Sequence, residues 1–147
     1  MKSKINLKGK YTFTLTFNTP LWGTINLNSP IHINKITPEG NEFILRRLYD
    51  NIREPIQYVI VAKTKDLETL KESGKSIKIS RIDPQGDNGV EFHANFTPAE
   101  MEGIEQISLT NKEKNGTIIT HSTLNEPFTK IPEGIKINLK YNLKIGE

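Results

Sequence analysis

From Tyr11 to Phe17 the apolar residues Tyr11, Phe13, Leu15 and Phe17 alternate with Thr12, Thr14 and Thr16. A period of two with one oily and one wet side is the pattern of a half-buried strand. Asn18-Thr19-Pro20 breaks it, and a second alternation follows through Ile25, Leu27, Ser29, Ile31 and Ile33. Pro30 interrupts that run and cannot donate to a ladder, which predicts an edge position or a bulge. At Thr37-Pro38-Glu39-Gly40 the period changes: Thr caps, Pro takes the first helical position, and Glu39 and Glu42 sit where the helix dipole favours acids. Ile44, Leu45, Leu48, Tyr49 and Ile52 then form one apolar stripe and Pro55 ends it, predicting an amphipathic helix over about 38–53. Ile56 to Ala62 is almost continuously apolar, which suits a central strand covered on both faces.

Lys63 to Lys75 is polar with only Leu67 and Leu70 as anchors, and predicts a loop with about one turn of helix. Ser76 to Asp83 alternates around Ile77, Ile79 and the stem of Arg81; the segment Pro84 to Gly89 supplies a turn, and Val90, Phe92, Ala94 and Phe96 alternate again as the second arm of a hairpin. Thr97-Pro98-Ala99-Glu100 has the form of a capping box, and the helix it opens must end by Gly103, giving a short second helix over about 98–102. A further hairpin is predicted from Ile104, Ile107 and Leu109, the polar turn Asn111 to Gly116, and Ile118 to Leu124. The chain closes on Ile135, Ile137, Leu139, Tyr141, Leu143 and Ile145 in strict alternation, the strongest periodic signal present.

These elements predict a mainly β protein: a β-sandwich of about seven to nine mostly antiparallel strands with one amphipathic helix and one short helix. At 147 residues one domain is expected, with a basic N-terminal arm over 1–9 and a single β-sandwich-like domain over 10–147. The Thr-Pro caps at Thr37 and Thr97 echo each other, but one shared dipeptide does not establish an internal duplication.

Composition narrows the chemistry. There is no cysteine, which removes disulfides, thiolate metal sites and cysteine nucleophiles together. No stretch approaches the ~20 apolar residues of a bilayer-spanning helix, and the basic segment Met1 to Lys10 lacks the apolar core of a secretory signal, so neither membrane insertion nor export is expected. Net charge is +3, from 20 basic and 17 acidic residues that largely alternate, so a nucleic-acid partner is not expected.

His32, His93 and His121 fall in three different predicted strands without metal-ligand spacing. Asp83 and Asp87 flank a turn, and Glu100, Glu102 and Glu105 gather at the short helix, where capping and surface solvation account for them. The segment Asp83 to Gly89 resembles a calcium loop only in composition, lacking the alternating ligands and the distal Glu. Phosphate loops, nucleophile elbows and paired-histidine helices are missing from the sequence. No catalytic residue, no metal site and no cofactor is therefore expected. The candidate partner contacts are Lys2, Lys4, Lys8 and Lys10, the densest basic run, and Trp22, an aromatic among Pro20, Leu21 and Gly23.

The order of segments carries a resemblance. Lys8-Gly-Lys-Tyr-Thr-Phe-Thr-Leu15 precedes Ile33-Asn-Lys-Ile-Thr-Pro-Glu-Gly40, the helix, and Pro55-Ile-Gln-Tyr-Val-Ile-Val61. The second half has Glu105-Gln-Ile-Ser-Leu109, Gly116-Thr-Ile-Ile-Thr-His-Ser-Thr-Leu124 and Phe128-Thr-Lys-Ile-Pro132. This succession resembles small structural proteins of tailed phages and proviruses, with Val61-Ala62-Lys63 in place of their Leu-Gly-x-Gly strand end and Ser108 where they have Gly. The resemblance implies a non-enzymatic virion component, tail-associated or on the capsid surface, assembled in the host cytoplasm. Its partners would be itself, as a homo-oligomer, and other virion proteins, met through strand edges and the N-terminal arm. Three other classes compete: a carbohydrate-binding β-sandwich stacking sugars on Trp22 with Tyr11 or Tyr58, a small hydrolase with convergent histidines and acids, and a nucleic-acid binder acting through the N-terminal lysines.

Overall fold

The computed structural model describes residues 7–19, 23–28, 32–47, 54–124 and 127–145. In chain order the elements are β1 (Leu7–Thr19), β2 (Gly23–Asn28), β3 (His32–Ile36), α1 (Pro38–Arg47), β4 (Tyr58–Ala62), α2 (Leu67–Ser73), β5 (Lys75–Lys78), β6 (Arg81–Gln85), β7 (Gly89–Phe96), α3 (Pro98–Met101), β8 (Gln106–Thr110), β9 (Thr120–Thr123) and β10 (Lys136–Ile145). All strand pairings are antiparallel and divide into two five-stranded sheets in a sandwich-like arrangement. One sheet runs β2, β1, β10, β7, β6 and the other β5, β4, β8, β9, β3. The seam is β3, whose residues 32–34 pair with β1 while Lys35 and Ile36 pair with β9.

The core lies between the sheets. The inward residues of β1 and β10 meet in register, Tyr11 opposite Tyr141 and Phe13 opposite Leu139, all of them essentially without solvent exposure. Val59 and Val61 of β4 and Ile107 and Leu109 of β8 face them from the other sheet, and Phe43 of α1 and Met101 of α3 enter the same cluster. β4 is apolar on both faces because its outer residues Ile60 and Ala62 are also covered, by Leu70 of α2 and by Ile118. That is the central strand expected from the continuous apolar run.

Both Thr-Pro caps mark the start of a connection that leads into the second sheet, α1 between β3 and β4 and α3 between β7 and β8. At the first, the Thr37 hydroxyl donates to Ile118 O at 2.6 Å and accepts the Gly40 N–H at 2.8 Å, fastening the helix start to the approach of β9. At the second the capping box is complete: Thr97 N–H donates to Glu100 Oε1 at 2.8 Å and Glu100 N–H to Thr97 Oγ1 at 3.3 Å.

Several boundaries differ from expectation. The helix expected over 38–53 is described over Pro38–Arg47, and 48–53 lie outside the described residues. The expected arm over 1–9 loses Leu7, Lys8 and Gly9 to β1, and 1–6 lie outside the described residues. The segment 63–75 holds a seven-residue helix where about one turn was expected: Asp66 caps it by accepting Glu68 N–H at 3.4 Å and Thr69 N–H at 3.3 Å. The alternation from Ser76 to Asp83 is two strands on opposite sheets. Ile79 N–H donates to Gln57 O at 2.9 Å, while Ser80 N–H donates to His93 O at 2.8 Å, so consecutive backbone groups serve different partners and the chain changes sheet between them. The alternation around Pro30 is likewise two strands, β2 and β3. These splits raise the count to ten described strands, above the seven to nine expected.

Tyr11 and Tyr141 stack with ring centroids 5.6 Å apart. Burial raises the pKa of both phenols, and for Tyr11 a hydrogen bond with Ser122 at 2.8 Å partly offsets that rise. Among the described residues the Tyr141 hydroxyl has no hydrogen-bond partner; Thr120 is near it, but not in hydrogen-bonding geometry. Because the folded values lie above the unfolded value near 10, the neutral phenols contribute their stability in full below about pH 10, and it is lost as pH rises further. Alkaline unfolding is therefore expected to track phenolate absorbance at 295 nm. Tyr141→Phe should raise its midpoint while changing neutral-pH stability by no more than about 1 kcal/mol; an unmoved midpoint would contradict the buried-phenol assignment.

Candidate functional site

The outer face of the β2-β1-β10-β7-β6 sheet is a polar lattice whose rows follow from strand register. Because the odd-numbered residues of β1 and β10 turn inward, Lys8, Lys10, Thr12, Thr14 and Thr16 of β1 point outward with Asn138, Lys140 and their even-numbered neighbours on β10. One row reads Arg81, His93, Lys140, Thr12 and the next Asp83, Glu91, Asn142, Lys10. Beyond them Lys144 stands directly opposite Lys8. Toward the other end lies the row Asn95, Asn138, Thr14, Asn28, tied sideways by Asn138 Nδ2 donating to Asn95 Oδ1 at 3.0 Å and Thr14 Oγ1 donating to Asn28 Oδ1 at 2.8 Å.

At the β6–β7 end this face carries a compact ionic cluster. Arg81 Nε pairs with Asp83 Oδ2 at 2.8 Å, and His93 Nε2 lies 2.6 Å from Glu91 Oε1 and 3.5 Å from Asp83 Oδ2. Lys140 Nζ is 4.0 Å from Glu91 Oε2. Although outward-facing, Glu91 and His93 are only 8% and 6% exposed. The other lysines of the face differ: among the described residues Lys8, Lys10, Lys136 and Lys144 make no ion pair, and each is exposed.

A cleft of about 710 Å³ lies between the end of β4, α2 and the start of α3, with Lys63, Lys75, Thr69 and Glu100 on its walls. Lys75 Nζ meets Glu100 Oε2 at 3.3 Å. Burial pushes the Glu100 carboxyl up, but hydrogen bonds from Thr97 and Lys75 outweigh it and hold the group below its ordinary value. A carboxylate held ionised in a cap and an ion pair is poorly placed to act as a proton donor at neutral pH. No histidine lines this cleft.

The predicted site residues are dispersed. Lys2, Lys4 and Trp22 lie outside the described residues. Lys8 and Lys10, expected in or beside a free arm, are held in β1 on the lattice. Tyr11 is fully buried and cannot stack on a sugar, which corrects that part of the carbohydrate expectation; Tyr58 is half-buried with Lys78 Nζ 5.9 Å from its ring centroid. The histidines sit on β3, β7 and β9, and His121 Nε2 faces Gln106 Oε1 at 3.1 Å, apart from the His93 group. The cluster of Asp83, Glu91 and His93 went unrecognised in the sequence, although its signal is present there. Glu91-x-His93 on a strand places both on one face, and a hairpin turning at 86–88 sets Asp83 opposite Glu91.

No family model, curated protein or solved structure matches this chain significantly. Among the described residues no helix is long and apolar enough to cross a membrane.

Proposed function

We propose that this protein is a non-enzymatic structural component of a particle of the tailed-phage or provirus kind, acting by self-association and by docking its polar sheet face onto acidic surfaces of neighbouring subunits. The observation that carries the docking surface is Lys8 opposite Lys144 on an exposed face, with Lys10 beside them and, among the described residues, no carboxylate paired to any of the three. Like charges directly opposed across strands are destabilising in isolation, and an acidic partner surface relieves that repulsion while setting orientation and encounter rate. The assignment to a particle rests on the resemblance of the segment order to that of phage structural proteins. It also fits a fold whose cleft of about 710 Å³ holds an acid already committed to a cap.

The test has two parts. Light scattering with mass measurement is expected to find a defined oligomer, and purified particles are expected to contain the chain. The double substitution Lys8→Gln and Lys144→Gln should weaken association about tenfold or more while leaving the thermal midpoint unchanged or raised, since the opposed cations are gone and no like charges replace them. A protein that stays monomeric at high concentration and is missing from particles would overturn the proposal.

A further inference from the structure

We infer that Asp83, Glu91 and His93 form a binding site for one divalent transition-metal ion, with the Arg81 guanidinium as its displaceable stand-in. The three side chains project from one face of the β6–β7 hairpin: Asp83 stands opposite Glu91, and His93 follows two residues along the same strand. Their donor atoms all lie within 4.8 Å of one another, and the His93 side chain is 8% exposed and that of Glu91 11%. Donor atoms bound to one such ion at about 2.0–2.2 Å sit roughly 3 Å apart, so closure needs only small side-chain adjustments on a rigid scaffold. One imidazole and two carboxylates, with positions left for water, suit zinc or cobalt.

A second observation comes from the hydrogen count around a single nitrogen. His93 Nε2 is 2.6 Å from Glu91 Oε1, an acceptor, and 3.1 Å from Arg81 Nη2, a donor. An imidazole nitrogen carries either a hydrogen or a lone pair. With the hydrogen it satisfies Glu91 but turns an N–H toward the guanidinium N–H; with the lone pair it accepts from Arg81 but confronts the Glu91 oxygen at close range. Neither tautomer satisfies both contacts. A metal ion in place of the guanidinium accepts lone pairs from His93, Glu91 and Asp83 together and resolves the conflict. Arg81 can leave because its side chain is 63% exposed and its partner Asp83 Oδ2 is itself one of the three donor atoms.

The proposal is independent of particle docking, since it is read on the isolated full chain. Titration with zinc chloride by calorimetry, and with cobalt chloride by visible absorption, is expected to show saturable binding of one ion per chain and a zinc-dependent rise in thermal midpoint. His93→Ala should weaken binding on the order of 100-fold. Asp83→Asn, a substitution at a partly exposed position that keeps the hairpin intact, should weaken it about tenfold. Arg81→Ala should tighten it about tenfold by removing the competing cation, a gain that a purely structural ion network does not produce. His121→Ala should leave it unchanged. Failure of both the wild type and Arg81→Ala to bind, or undiminished binding by both His93→Ala and Asp83→Asn, would overturn the inference.

Discussion

Replacing Gly40 with alanine is expected to destabilise the protein by about 2–4 kcal/mol, although the same change in an exposed helix interior ordinarily stabilises. A Cβ at residue 40 would fall on the carbonyl of Ile119, and the obstacle is backbone, which cannot swing aside. Relief requires α1 to lift away. That would withdraw Phe43, 2% exposed, from the core and break the bonds from Thr37 N–H to Ile119 O at 3.0 Å and from the Thr37 hydroxyl to Ile118 O at 2.6 Å. Gly86→Ala is the informative comparison. It has open space around it but a φ of +64°, so its cost is backbone strain alone, about 1 kcal/mol. Urea midpoints should order wild type, Gly86→Ala, Gly40→Ala from most to least stable; a Gly40→Ala protein as stable as wild type would refute the close seating of α1.

Phe13→Ala carries the other large expected effect, about 3–5 kcal/mol. The Phe13 ring is fully buried, meeting Tyr11 edge-on at 5.7 Å and Phe128 edge-on at 5.5 Å between centroids. Few small domains have more than 5–15 kcal/mol in total, so the variant should be largely unfolded at modest urea. Its 127–131 segment should also become sensitive to protease, because Phe128 loses the ring it packs on. Denaturant titration and limited proteolysis check both parts; a loss under about 1 kcal/mol would mean the β1–β10 centre is not the core.

How far the sequence foretold this can be followed element by element. Period-two alternation was sufficient for β1 and β10, where a single buried face imposes the pattern, and for β7, whose apolar residues keep to the inner face although Glu91 and His93 of the outer face are also buried; the Thr-Pro signals placed both caps correctly. Two features stayed hidden because they depend on contacts distant in the chain. The short helix α2 draws its stability from Leu70 packing on Ile60 and from an Asp66 cap, not from a long stripe. The division between β5 and β6 shifts the alternation by one residue: Ile77 and Ile79 face the core, whereas in β6 it is Ile82 that shares the side of Phe92, a shift set by the exchange of hydrogen-bond partners between Ile79 and Ser80. The lattice was legible only in part. Glu91, His93 and Asp83 could have been grouped from local hairpin register, whereas the meeting of Lys8 with Lys144 requires the first strand to lie beside the last.

That same neighbourhood of first and last strands governs how the molecule bears a load. Leu7 sits opposite Ile145, and the ladder runs rung by rung to Thr16 opposite Lys136. Tension drawn between residues 7 and 145 would fall on one pair of backbone hydrogen bonds at a time and open the sheet like a zipper. Tension drawn lengthwise along β1 against a grip on its neighbours would strain many rungs in parallel, so the direction of pull, more than the total number of bonds, decides how firmly this protein holds.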